Sequence, residues 1–222
     1  MNYKKLSSIR HSVRHYEDKQ IPKEILDKIN KKVNEINSLS DLDIQVVVNE
    51  KEAMAGFEPR LTGAKNYLSF VGKKDDPKLE EKVGYFGEEL VLFLTNLGLG
   101  SLWVAGSMHL DKVIYKANED ETLVLIIAFG FASDNGIAHI SKSLNELSKI
   151  NDNSPEWFVN GIKEVSLAPS AMNRQNFYFT YIDENKVLVD ALPNNPPRWA
   201  KVDRGIAIYH FEIGSGKKVI EL

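Results

Sequence analysis

Apolar residues recur at steps of three and four through Ile25, Ile29, Val33 and Ile36. That spacing draws one hydrophobic stripe along a helix and predicts a helix over residues 22–36. Pro22 suits its first turn, and Lys23 and Glu24 continue with good helix formers. The period then changes. Residues 38–43 are polar and read as a loop, and residues 44–48 are rich in β-branched side chains and read as a strand. Within residues 51–63, Gly56, Pro59 and Gly63 interrupt any long element. A second strand is expected over 67–71, ending at Gly72, with a charged turn over 73–77.

Residues 80–97 carry the strongest helical pattern. Tyr85, Phe86, Leu90, Val91, Leu92, Phe93, Leu94 and Leu97 cover most of its circumference, so this helix is expected to be buried on several sides. Gly98 stands where a left-handed cap would stop it. A short helix is expected at 110–117, then a strand over 122–131, apolar enough to be buried on both faces. Ser143 and Glu146 have capping-box spacing and open a helix over 143–150. From Pro155 the earlier order returns: a helix to about residue 165, a loop, and a strand over 177–182. Residues 192–199 read as a surface loop rich in proline and asparagine, and 203–214 as an apolar helix stopped by Gly214. The repeated order predicts one domain, 1–222, with two pseudo-repeated halves at about 1–135 and 136–222.

Composition narrows the classes. A chain of 222 residues can bury a sizeable core, and 43% hydrophobic with 27% charged residues is an ordinary soluble balance. A net charge of −3 gives no electrostatic case for nucleic acid or an anionic membrane. The absence of cysteine excludes disulfides, thiolate metal sites and a cysteine nucleophile, and fits a cytoplasmic protein. No signal peptide is read, because Met1-Asn2-Tyr3-Lys4-Lys5 is not followed by an apolar run. The longest apolar run, residues 123–129, is too short for a bilayer. His11 and His15 stand four residues apart with no third ligand beside them, so no metal is expected.

The candidate chemistry lies in two stretches. In the first, Ile9-Arg10-His11-Ser12-Val13-Arg14-His15-Tyr16, two arginines and a serine occupy alternate positions. Guanidinium forks match phosphate oxygens two at a time, and a serine hydroxyl adds another donor. In extended backbone, alternate residues point the same way, so Arg10, Ser12 and Arg14 could converge on one anion. A solvated basic segment is the plain alternative. The second stretch is Ser166-Leu167-Ala168-Pro169-Ser170-Ala171-Met172-Asn173-Arg174-Gln175.

Together, Arg-x-Ser-x-Arg with a following Tyr16 and Ala-Pro-Ser-Ala-x-Asn-x-Gln resemble the nitroreductase family of FMN-dependent oxidoreductases. The resemblance implies an α+β fold, a central mixed or antiparallel sheet surrounded by helices. It implies FMN as cofactor, with Arg10, His11, Ser12 and Arg14 at its phosphate and Lys142 as a further anchor. Pro169, Ser170, Asn173 and Gln175 would cover the ribityl and ring end, and the backbone of Trp103, Val104, Ala105 and Gly106 would face the ring. Arg60 is the candidate for the positive charge near flavin N1, with Arg174 as another contact. Asn176-Phe177 departs from the proline and aromatic that follow the glutamine in most relatives, which puts the register of Gln175 in question.

In that family each flavin draws its two motifs from two subunits. Here both sit in one chain, in different halves, and residues 39–43 lack the second motif, so one FMN per chain is implied. NADH or NADPH would reduce the flavin, and a nitroaromatic, quinone or similar small acceptor would reoxidise it in ping-pong fashion, with no catalytic side chain. A monomer is expected, with a homodimer as the alternative. Two other readings predict different behaviour: a low-turnover flavin-binding protein for storage or sensing would hold FMN without turning over, and an interaction module would hold none.

Overall fold

The computed structural model describes residues 1–57, 60–105, 110–134, 136, 140–191, 198–218 and 220. Its helices are α1 (Tyr3–Ile9), α2 (Lys23–Ser40), α3 (Leu79–Asn96), α4 (Leu144–Leu147), α5 (Glu156–Val165) and α6 (Arg198–Ser215). Its strands are β1 (Asp43–Val47), β2 (Tyr67–Lys73), β3 (Gly100–Val104), β4 (Glu121–Gly130), β5 (Phe177–Asp183) and β6 (Lys186–Ala191). Helices with antiparallel sheets make this the α+β fold expected. The order α2–β1–β2–α3 returns as α5–β5–β6–α6. Both runs open on a proline of nearly the same backbone geometry, Pro22 at φ −57, ψ 146 and Pro155 at φ −58, ψ 139.

The chain forms two compact units, and each interleaves distant segments. A sheet unit comprises Arg10–Leu79 and Leu90–Ala138; a helical unit comprises Met1–Ile9, Glu80–Glu89 and His139–Leu222.

In the sheet unit the strands run β1-β2-β4-β3, all neighbours antiparallel. β4 is flanked on both sides, Ile127 pairing with Leu68 of β2 and Trp103 of β3. Its residues Leu123 to Phe129 are all buried, as an apolar run with no alternation requires. α2 buries Ile29, Val33 and Ile36, the stripe read from the sequence. The helix runs to Ser40, further than expected, so 38–40 are not loop. Ser38 and Ser40 satisfy their hydroxyls by donating to the carbonyls of Asn34 and Ile36, four residues back. Asp41, at φ 58, is the left-handed cap, and the Asn37 amide brackets Ile44 with two bonds of 2.9 Å.

The helix expected at 110–117 is only a 3₁₀ turn, Leu110–Lys112. Side chains take the backbone bonds that a helix would use: Ile114 N–H donates to Tyr67 Oη at 2.8 Å, and Lys116 exchanges two bonds with the Gln45 amide. α3 ends at Asn96, with Gly98 left-handed at φ 76, as expected.

In the helical unit, two glycines let helices touch backbone to backbone. A Cβ on Gly84 of α3 would lie 2.0 Å from the Val202 carbonyl, and one on Gly205 of α6 would lie 2.0 Å from that of Glu81. Phe211 of α6 stacks on Phe179 of β5 at 5.3 Å and meets Phe158 of α5 at 5.8 Å. β6 was not foreseen; it alternates buried Val187 and Val189 with outward Lys186, Leu188 and Asp190. α4 spans a single turn, shorter than the 143–150 expected, because Ser148 turns extended and bridges to Phe179. α6 begins at Arg198 and passes through Gly214, so the stop falls later, at Gly216 (φ 69). Of the loop expected at 192–199, residues 192–197 lie outside the described residues.

Candidate functional site

The first stretch is extended backbone pinned on both sides within the sheet unit. Val13 N–H donates to the Ser101 carbonyl of β3 at 2.9 Å. Tyr16 N–H donates to the Thr62 carbonyl at 3.0 Å, and Thr62 N–H returns a bond to the Arg14 carbonyl at 2.9 Å. Glu17 N–H reaches the Phe131 carbonyl, and Ser133 N–H the His15 carbonyl, both at 2.9 Å. Side chains lock the same segment. Val13 is buried in the core of the unit with Val104 and Ile126. His15 Nδ1 is hydrogen-bonded to Thr62 Oγ1 at 2.9 Å. Gly63 is required here: its φ is 72, and a Cβ would come within 2.3 Å of the Tyr16 carbonyl.

The donors on this segment differ in exposure. Arg10 is buried, His11 and Ser12 are half-buried, and Arg14 is exposed. Among the described residues Arg14 forms no ion pair. Tyr16 is buried against Gly130, and its hydroxyl has no hydrogen-bond partner among the described residues. Burial drives the Tyr16 hydroxyl well above the usual tyrosine range, an effect the positive charge of Arg14 only partly offsets. The phenol is therefore a neutral group beside the arginine. The His11 ring packs where a Cβ on Gly136 would stand, 2.7 Å from its Cδ2. Arg60 is exposed in the turn before Thr62.

Trp103 and Val104 belong to β3, and Ala105 follows it half-buried. Trp103 stacks on Phe70 at 6.4 Å. Gly106 lies outside the described residues.

The second stretch forms a strained loop in the helical unit. Met172, Asn173 and Gln175 all take the left-handed conformation, at φ 56, 54 and 45. Each such non-glycine residue costs on the order of 1 kcal/mol, so the surrounding bonds must hold the shape. Asn173 N–H donates to the Ser170 carbonyl at 2.9 Å, and Ala171 N–H to the buried carboxylate of Asp203 at 2.9 Å. Pro169 precedes Ser170, whose Oγ accepts the Gln175 N–H at 2.8 Å. The Asn173 amide donates to the Ile140 carbonyl at 3.1 Å, while Met172 is 85% exposed. Arg174 is exposed at the end of the turn.

Gln175 is only 1% exposed and turns inward. Its Nε2 donates to the carbonyls of Ser166 at 2.9 Å and Ala168 at 3.4 Å, and its Oε1 accepts from Lys142 N–H at 2.7 Å. Lys142 completes the pair, its Nζ donating to the Gln175 carbonyl at 3.0 Å. The second stretch thus gathers Lys142 into its own loop. Asp203 and Thr62 were missed by sequence reasoning; neither stands in a motif, and no local pattern marks them.

The chain matches the family described as "Putative TM nitroreductase" over residues 2–215. It belongs to this nitroreductase family. Among solved structures, one named as a "putative nitroreductase", from Thermotoga maritima MSB8, is 23% identical, covering 96% of this chain and 83% of that one at a TM-score of 0.66. A nitroreductase-like protein from Streptococcus mutans is 16% identical, with coverage of 68% and 98% and a TM-score of 0.57. One named as a "Putative NADH dehydrogenase/NAD(P)H nitroreductase", from Bacteroides thetaiotaomicron VPI-5482, is 21% identical, with coverage of 70% and 99% and a TM-score of 0.53. At these identities the likeness is one of fold. A comparison with curated protein sequences gives no match. The nitroreductase family is one of oxidoreductases, and among the described residues no helix is long and apolar enough to cross a membrane.

Proposed function

We propose that the chain is an FMN-dependent NAD(P)H oxidoreductase that reduces nitroaromatics, quinones or similar small acceptors. The observation that carries this reading is the run from Arg10 to Arg14, whose backbone is pinned from Val13 onward. At Val13 and Arg14 the backbone is fixed by hydrogen bonds before any ligand arrives, which lowers the ordering entropy lost on binding. The donor set of the run suits a phosphate monoester. Arg10, Ser12 and Arg14 would hold the phosphate, with His11 beside them. Ser170 and Asn173 would bind polar atoms of the ribityl chain and ring, and Arg60 would supply positive charge near N1. The flavin, when bound, supplies hydride transfer between nicotinamide and acceptor. The residues would bind it and orient it. The B. thetaiotaomicron structure carries NAD(P)H in its name, which supports a nicotinamide reductant. The matched orders of α2–β1–β2–α3 and α5–β5–β6–α6 support an internal duplication, and with the second motif in one half only, one FMN per chain.

Visible absorption of the purified protein, after FMN is added and excess removed, tests the reading. One flavin per chain is expected, bleached anaerobically by NADH or NADPH and recovered on adding a nitroaromatic or quinone. A colourless protein would overturn it, and bound flavin that nicotinamide does not bleach would favour storage or sensing. Arg14→Ala, exposed and outside the core, should weaken FMN binding by roughly tenfold or more and leave the apo melting temperature unchanged.

A further inference from the structure

We propose that Lys142 and Gln175 are positioning residues, a reciprocal clamp that keeps the 170–175 loop in its left-handed form and so sets where Asn173 is presented. The ligand that Asn173 meets rests on the FMN reading; the clamp does not. Three residues of this loop are left-handed and none is glycine, so hydrogen bonds must hold the conformation. These bonds converge on Gln175. Its backbone N–H reaches Ser170 Oγ, its amide nitrogen reaches the carbonyls of Ser166 and Ala168, and its amide oxygen takes Lys142 N–H. The Lys142 ammonium then closes onto the Gln175 carbonyl.

The geometry separates this role from direct ligand contact. Both Nε2 protons of Gln175 have carbonyl acceptors, at 2.9 and 3.4 Å, and the side chain is almost wholly buried. Asn173, two residues earlier, is exposed, and its amide is steadied by the Ile140 carbonyl. Residues 140–142 thus run beside the loop and touch it at Asn173 and at Gln175. Gln175 sets the backbone, and Asn173 offers the side chain.

The test compares Lys142→Met and Gln175→Ala with wild type, as full chains without flavin, by residue-resolved amide hydrogen exchange. Exchange at Ala171, Asn173 and Gln175 should accelerate by roughly tenfold in Gln175→Ala and severalfold in Lys142→Met, with α5 and α6 unchanged. Unaltered loop protection in both variants would overturn the clamp. Should Gln175→Ala fail to fold, Lys142→Met decides alone, because it removes the one side-chain bond to the Gln175 carbonyl and leaves the Gln175 side chain in place. FMN titration of Gln175→Ala, Asn173→Ala and the double variant gives the second readout. If Gln175 acts through Asn173, the double variant binds FMN as weakly as Asn173→Ala alone; additive losses would make Gln175 a direct contact and overturn the proposal. If wild type binds no FMN, the FMN reading falls while hydrogen exchange still judges the clamp.

Discussion

His210 Nε2 lies 3.0 Å from Glu88 Oε1, and both side chains are fully buried. The other ring nitrogen faces Glu164 Oε1 at 4.0 Å, and Ser7 donates to that same carboxylate oxygen. One polar residue each from α1, α3, α5 and α6 therefore meets inside the helical unit. Removing the imidazole leaves buried carboxylates without it, which costs far more than the pair contributes net. His210→Leu should lose roughly 3 kcal/mol or more, read from the urea midpoint, and His210→Leu with Glu88→Leu should recover part of that. A single variant as stable as wild type would show that the network contributes nothing.

Gly84 and Gly205 test the helix crossing. Each would place a Cβ 2.0 Å from a backbone carbonyl, which cannot rotate away as a side chain can. Gly84→Ala and Gly205→Ala should each cost about 2 kcal/mol or more. Gly98 is the contrast: nothing stands within 4 Å of its would-be Cβ, and only its φ of 76 resists substitution. Gly98→Ala should cost about 1 kcal/mol. Equal denaturant midpoints for Gly98→Ala and Gly205→Ala would contradict the crossing.

Glu212 sets a pH dependence. Burial lifts its carboxyl above the ordinary 4.5, against the lowering effects of the Tyr85 hydroxyl bond and the nearby Lys218. A group raised in the folded state contributes stability below its unfolded value and loses it as pH climbs through the folded one. Glu212→Gln keeps an acceptor for Tyr85 and has no such loss. Its stability relative to wild type should rise between about pH 4 and pH 7 in chemical denaturation; a flat difference would count against this assignment.

Four tyrosines should resist alkali. Burial pushes Tyr67 to about 12 and carries Tyr16, Tyr85 and Tyr209 further up. In native protein at about pH 11, phenolate absorbance should fall short of the full eight tyrosines by at least these four, and reach all eight in denaturant. Their raised values contribute stability below the ordinary 10, lost as pH climbs toward 12, so the shortfall should vanish together with the fold.

The elements legible in the sequence were those whose pattern is local. Ile29, Val33 and Ile36 declare α2, and the unbroken apolar run of β4 declares a strand buried on both faces. Errors arose where a distant side chain takes over the backbone. Tyr67 and Gln45, far from residues 114–116 in sequence, satisfy that segment and dissolve the helix its composition suggests. At the candidate site, the motif residues could be named but not their parts. Gln175 reads as a ligand contact in the motif, whereas its side chain is closed within its own loop by Ser166, Ala168 and Lys142. Such an arrangement depends on φ values that no residue type announces when the left-handed residues are Met, Asn and Gln.

The interleaving of the two units also orders their birth. Every residue of the sheet unit has been made once the chain reaches Ala138. The helical unit takes its first segment from Met1–Ile9 and its last from the far end of the chain. Ser7 waits for Glu164, 157 residues on, and Lys4 for Gly214, 210 residues on. At roughly 5–20 residues per second of synthesis, α1 stays without these partners for on the order of ten seconds or more. Helix α1 is thus packed last, and Leu6, Val83 and Tyr85 are the buried apolar groups of the helical unit that are made before the partners beyond Ala138.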